Sequence, residues 1–452
     1  MTAARRWGVL AATALIARTA AGQSTAPSTR AAAWDTVVAV VGRTWVDRPF
    51  IESRWFPEAS RRRTDALAAP NDEAFRAALY ELLGLVPASH FYVIPASAFD
   101  ESTSGAARGT TGLTLRFATR GNTPTVLVSR VDPGSPAAQR GIRAGAEVLA
   151  IDDIDIASRL RDADTIRADA QRHRRRSVLL QRVNAAVAPA VGDSVVLRLQ
   201  LPGSATPRSI AVVSVTDTTP TASFGNLPPL STRVRASRAE LSGGRAAGVI
   251  AFDVWLPAII PQLDRAFVDT KGCDGLVLDL RGNLGGVVGM VMGIGGHLID
   301  TTAVLATLTS RDAVFKLAAN PRRVLAEGTR TTPYAGPVAL LVDLTTASTS
   351  EIFAGALRDL GRARVFGERT AGQALPALTA RLATGDVLVH ATADLTGPAG
   401  QRVDGVGVRP DVAIELSAEA LAAGRDPVLD AALAWLSSLS TTRAPSGAAC
   451  LP

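Results

Sequence analysis

The chain has 452 residues, 47% of them hydrophobic and 20% charged, which excludes a wholly disordered or collagen-like chain and fits two to four domains at roughly 100–200 residues each. Of its 48 basic residues only Lys271 and Lys316 are lysines. Arginine does not deprotonate in proteins, so any lysine- or histidine-type base must come from those two or from His90, His173, His297 and His390.

The first 22 residues, with Arg5 and Arg6 ahead of an apolar run from Trp7 to Ala17 and small residues at Ala20 and Ala21, have the layout of a secretory signal peptide and are too short to span a bilayer. They predict an exported, periplasmic or extracellular protein, tied to a membrane only if that segment stays uncleaved. Its removal would take away three arginines and lower the formal charge from +7 to +4, which makes nucleic acid an unexpected partner. Cys273 and Cys450 are the two cysteines. They can pair in an oxidising compartment, or Cys273 can be a buried apolar filler, and spacing does not decide between these.

Residues 23–106 read as a helical subdomain, with WDTVVAVVGRTWVDRPF followed by NDEAFRAALYELLGL, where Asn71 is placed to cap a helix. It ends in ASHFYVIPASAF, a short aromatic and β-branched run carrying Ser89 and His90. From 107 to 216 the period changes to two, through GLTLRF, TVLVSRV, EVLAIDDIDI, SVVLRLQL and SIAVVSV, with Gly and Pro turns between. The stretch between EVLAIDDIDI and SVVLRLQL holds Arg172, His173, Arg174, Arg175 and Arg176. It reads as a solvated helix, with Asp169 spaced to pair with His173 and contact with anionic lipid as the alternative. From 217 to 452 near-continuous apolar strands such as GLVLDL and PVALLVDL alternate with helical stretches, the mark of an α/β core. Residues 300–335 carry weaker signals and read as an excursion. No HExxH, paired CxxC or P-loop occurs, so neither a metal nor a cofactor is expected.

Three segments of the core stand out: DLRGNLGG at Asp279–Gly286, TTASTSEIFAGAL from Thr345, and GERTAGQA from Gly367. With the closing RVDGVGVRPD they resemble the carboxyl-terminal processing (tail-specific) serine peptidases. The β-rich segment, with its SPAA helix start and GIRAGAEVLAIDD strand, resembles a PDZ domain. The resemblance implies a multidomain α/β protein: a ClpP/crotonase-like peptidase core with an inserted PDZ-like domain and a small N-terminal helical subdomain, hydrolysing polypeptides without a cofactor.

Residue by residue, the resemblance implies Ser348 as nucleophile. It implies an oxyanion hole from the N–H of Gly285 or Gly286 with that of Thr349, and a peptide C-terminus bound along Gly112, Leu113, Thr114 and Leu115. Ser350 is expected to be a helix cap only. Better-known members use a lysine, but Gln373 stands at the matching position and cannot take a proton. A second branch, similar to the tricorn core protease, uses histidine. That branch implies His90 as base with Ser89 beside it and Asp404, in DGVGVRPD, orienting the ring; Asp411 is the competing carboxylate. A catalytically silent peptide- or ligand-binding protein on the same fold is the alternative, and Gln373 is its motive.

Overall fold

The computed structural model describes residues 25–98, 108–120, 123–227, 229–439 and 450–451; the expected signal segment lies outside the described residues. The chain divides into two compact units.

The first unit takes in the described residues up to 98 together with 309–313 and 376–394. Its helices Pro27–Thr44, Phe56–Leu67 and Asp72–Leu83 bury Trp34, Val37, Trp55, Phe75 and Leu79 against one another. Asn71 caps the third by accepting the Ala74 N–H at 2.8 Å, which satisfies one of the donors a helix start leaves unpaired. Strand Tyr92–Ile94 pairs antiparallel with Val387–Ala391, which in turn pairs with Ala377–Arg381. The helical subdomain is thus completed by a hairpin from far along the chain, which no local pattern in residues 23–106 announces.

Among the described residues, the second unit holds two six-stranded sheets and smaller strand pairings beside them. In the β-rich module the strands run Leu113–Arg120, Thr123–Val131, Glu147–Ile151, Ser194–Gln200 and Arg208–Val213 in spatial order, all antiparallel, and Leu113–Arg120 forms an edge. Alternate residues of these strands point inward, so Leu115, Val126, Val128, Leu197 and Leu199 share one apolar core with Leu180 and Val183 of helix Asp169–Ala186.

That helix departs from the solvated reading of its basic run. His173 Nε2 lies 2.5 Å from the Thr370 carbonyl oxygen, and Ser177, fully buried, donates to the Leu344 carbonyl at 3.0 Å. Asp169 pairs with Arg172 at 2.9 Å and with Arg369 at 2.6 Å. Within the run, His173 docks against loop backbone, Arg172 and Arg176 pair with Asp169 and Asp164, and Arg175 is exposed, a distinction that composition alone does not carry.

The α/β core is a six-stranded sheet in the order Val234–Glu240, Ala246–Phe252, Gly275–Asp279, Val338–Val342, Ala363–Gly367 and Val412–Ala413, antiparallel in the first pair and parallel in the rest. Every residue of Val338–Val342 is buried, as expected of a parallel strand covered on both faces. Ala339 and Leu341 join Val428, Ala432 and Leu436 of helix Pro427–Ser438 in one cluster. Cys273 and Cys450 form a disulfide with Cα atoms 4.4 Å apart. Within the excursion, Ala303–Thr309 and Val314–Ala319 pair as neighbouring strands.

Candidate active site

Helix Thr349–Asp359 starts seven positions after the end of the buried strand Val338–Val342, with Ser348 as its N-cap. Ser348 has φ +56° and ψ −122°, a conformation that side chains other than glycine rarely adopt and that persists only where the surroundings enforce it. Those surroundings are visible. The Ser348 N–H is shared between the Gln373 carbonyl at 2.8 Å and Glu351 Oε2 at 3.0 Å, and the Ala347 N–H donates to the Asn283 carbonyl at 3.0 Å. Ser348 is half-buried while its neighbours Ala347, Thr349 and Ser350 are buried. One hydroxyl is therefore offered from an otherwise closed turn.

Glu351 is the residue of this site that the sequence did not single out. Fully buried, it accepts from the Ser348 N–H, the Gly372 N–H at 2.7 Å, the Gln373 N–H at 2.8 Å and the Thr370 hydroxyl at 2.5 Å. Burial pushes its carboxyl up to about 7, and the hydrogen bonds pull the other way. It ties the Ser348 turn to the GERTAGQA loop. Gln373, which replaces the expected lysine, contributes mainly through its backbone. Ser350, expected to cap the helix, lies inside it instead, and its hydroxyl accepts the Trp255 indole N–H at 2.8 Å. The cap falls to Ser348 because the helix begins two residues earlier than the Ser-Glu pair suggests.

The glycine pair resolves into two roles. The Gly285 N–H is committed to Asn283 Oδ1 at 2.9 Å, so Gly285 is corrected as an oxyanion donor. Its part is close approach: a Cβ there would sit 2.6 Å from Ser348 Cβ. Gly286, with φ +146°, lies against the Trp255 backbone, where a Cβ would come within 2.4 Å of the Trp255 carbonyl oxygen. Among the described residues neither the Gly286 N–H nor the Thr349 N–H has a partner, while the Thr349 hydroxyl donates to the Gly286 carbonyl at 2.9 Å. Unpaired backbone donors at a helix start are suited to a developing oxyanion.

The remaining expected residues are placed as follows. His90 belongs to the first unit and has φ +61°; the buried Ser89 holds its Oγ 2.7 Å from His90 Nδ1. In the second unit Asp404 accepts the Ala374 N–H at 3.1 Å, next to Gln373, and its charge acts on the half-buried Arg174. Asp411 accepts the Val365 N–H at 2.8 Å and so secures strand Ala363–Gly367.

The other bases have structural partners. His297, stacked on Phe267, bonds Asp264 at 2.8 Å, and burial pushes it down to about 4. His390 is bonded to the Thr44 hydroxyl at 3.1 Å, Lys271 donates to the Thr331 hydroxyl at 2.5 Å, and Lys316 is exposed. Among the described residues no cluster of three or more His, Cys, Asp or Glu is arranged to hold a metal.

Residues 255–414 match peptidase family S41, and residues 127–182 match the PDZ domain. The chain is a serine peptidase with an S41 core and a PDZ domain. It is 26% identical over 380 residues to the chloroplastic C-terminal processing peptidase of Tetradesmus obliquus, covering 83% of this chain and 75% of that protein. It is also 26% identical over 378 residues to a carboxyl-terminal-processing protease of Picosynechococcus sp., covering 82% and 80%.

Among solved structures the fold matches a photosystem II D1 C-terminal processing protease at TM-score 0.56 with 22% identity, over 91% of this chain and 98% of that one. It matches mature CPAF at TM-score 0.60 with 13% identity, over 90% and 97%. The expected fold class is thereby borne out. Within the S41 core, Ser348, Gly286 and Thr349 lie on elements inside the matched span, and the edge strand Leu113–Arg120 precedes the matched PDZ span.

Within the S41 span the half-buried Glu368 is a second carboxyl whose pKa is raised. Burial, and then the neighbouring Asp343 carboxylate, push Glu368 up to about 8. The unfolded chain ionises this group near 4.5, so between that pH and about 8 the folded form holds the extra proton. Its contribution is complete below about 4.5 and is lost as pH rises toward 8. Thermal melts from pH 5 to pH 8 should therefore show Tm falling, and Glu368→Gln should flatten that slope; an unchanged slope would assign the loss to other groups.

Proposed function

We propose that this chain is an exported endopeptidase that cleaves polypeptides by a Ser-His-Asp mechanism, presented to its substrate in part through the PDZ domain. In this reading His90 takes the Ser348 proton and returns it to the leaving amine, Asp404 and Ser89 hold the imidazole, and the Gly286 and Thr349 N–H groups receive the oxyanion. Substrate C-termini dock along Gly112, Leu113, Thr114 and Leu115. Export rests on the leader-like first 22 residues; among the described residues no helix is long and apolar enough to cross a membrane. The observation that carries the reading is the Ser348 hydroxyl on a left-handed turn with two unpartnered N–H donors beside it.

The direct test is to treat the protein with an organophosphonate that phosphonylates activated serines, locate the adduct by mass spectrometry, and follow cleavage of an unfolded polypeptide. Modification at Ser348 with matching loss of cleavage is expected. Modification elsewhere, or cleavage that survives full modification of Ser348, would refute it.

The third member is tested separately. Asp404→Asn should lower turnover by about 10²–10⁴, since an amide can hold the imidazole in the wrong tautomer, while leaving the fold intact because Asn keeps an oxygen for the Ala374 N–H. Asp411→Asn should leave turnover near wild type. The reverse pattern would transfer the orienting role to Asp411.

A further inference from the structure

Leu113–Arg120 is an edge strand, and its outward backbone groups would be open to a peptide strand. At Leu115 they are already engaged. The Leu115 N–H donates to Asn184 Oδ1 at 2.8 Å, and Asn184 Nδ2 donates back to the Leu115 carbonyl at 3.0 Å. A further bond from Asn184 Nδ2 to the Leu180 carbonyl at 2.9 Å steadies the amide on helix Asp169–Ala186. A side-chain amide with one acceptor and one donor facing a single residue of an edge strand reproduces one rung of a β-ladder.

The same pair of functions is what a chain terminus brings: a carboxylate oxygen that accepts, and an N–H of the last residue that donates. The space for such a chain is present. A cavity of about 810 Å³ is lined by Thr114, Arg116, Gln181, Asn184, Ala185 and Arg130, among others. Its lining is mixed in charge, six arginines with five carboxylates, and Arg130 lies on the wall beside the edge strand. Burial, together with Arg235, Arg233 and Arg116 nearby, holds the Arg130 pKa below the usual guanidinium range, opposed by Asp132; a carboxylate entering the cavity would relieve that crowding.

We propose that Asn184 is a built-in competitor for the Leu115 edge: a polypeptide with a free terminal carboxylate binds the PDZ domain by displacing the Asn184 amide, and Asn184 thereby sets how tightly a chain end must bind to be held. The inference rests on the docking reading given above. It adds that the groove is self-occupied in the free protein.

The test uses full-length Ser348→Ala protein, so that bound peptide is not consumed, with and without Asn184→Ala. The probes are a fluorescent decapeptide with an apolar last residue and its C-terminally amidated twin, followed by anisotropy. Two neutral hydrogen bonds in competition are worth a few-fold each at most, so Asn184→Ala should tighten binding of the free-acid peptide about three- to tenfold. Asn184→Ser, too short to span both groups, should act in the same direction, and the Leu115 amide should exchange hydrogen faster in either variant without peptide.

Binding of the acid peptide that is unchanged or weaker in both variants would overturn the proposal while leaving the docking reading standing. Equal tightening for the amidated peptide would overturn the carboxylate as occupant. No binding by any of the proteins would overturn the docking reading and the proposal with it.

Discussion

Replacing Ser348 with alanine is expected to cut polypeptide hydrolysis by about 10⁴–10⁶, with a loss of stability no larger than that of a helix cap, about 0.5–2 kcal/mol. The hydroxyl is the attacking atom of the proposed reaction, and besides its side chain's place in a capping box with Glu351, the backbone carries most of the bonds that hold the turn: the N–H to Gln373 and Glu351, and the carbonyl accepting from the Glu351 and Ile352 N–H groups. Alanine keeps all of the backbone bonds. The positive φ costs alanine about as much as serine.

His90→Gln should fall almost as far, because an unactivated serine hydroxyl is a weak nucleophile and glutamine does not take its proton. The double variant should be no slower than Ser348→Ala alone, since groups that act as one unit are not additive. Measuring kcat/KM for the three variants on one unfolded polypeptide decides the matter. Substantial turnover in Ser348→Ala would remove the nucleophile assignment; full turnover in His90→Gln would remove the base and leave the serine in place.

How much of this was readable beforehand differs by residue, and the differences have physical causes. The place of Ser348 at a helix start was legible because a buried strand, a short loop and a helix follow one another in the chain, and a helix start imposes its own hydrogen-bonding needs on neighbouring residues. The disposition of Gly285 and Gly286 was not, because it depends on Asn283, whose side chain is spent on the Phe252 carbonyl and the Gly285 N–H. Ser350 was misjudged as a cap since serine near a helix start usually is one, and the indole N–H of Trp255, 95 positions earlier, claims it instead.

The basic helix was misjudged for the same reason. Polarity marks a face as needing partners and leaves open whether water or another loop supplies them. The strand Tyr92–Ile94 was legible as a strand, and its pairing with Val387–Ala391 was not, because pairing across such a separation leaves no local pattern.

Glu351 gives the second large effect. Its carboxylate is the acceptor for three backbone N–H groups and one hydroxyl, in a position with no exposure to water. Alanine would leave those donors buried without that acceptor, at a cost of about 1–3 kcal/mol for each one left unsatisfied. The Ser348 N–H keeps its second bond to the Gln373 carbonyl, and partial collapse would relieve some of the rest, so Glu351→Ala should lose about 3–5 kcal/mol of folding stability.

Turnover should fall further than stability explains, because the same bonds hold Ser348 in its left-handed turn against the Gly372–Gln373 segment. Glu351→Gln keeps one acceptor and turns the other toward the N–H donors as an NH₂ group, so an intermediate loss on both scales is expected. Two measurements separate the effects: denaturant unfolding for stability, and the rate of phosphonate labelling at Ser348 in the fraction that remains folded. A Glu351→Ala protein that unfolds at the wild-type denaturant concentration and labels at the wild-type rate would mean that this buried carboxylate does not position the nucleophile. Slow labelling in a protein that is still folded would mean that it does.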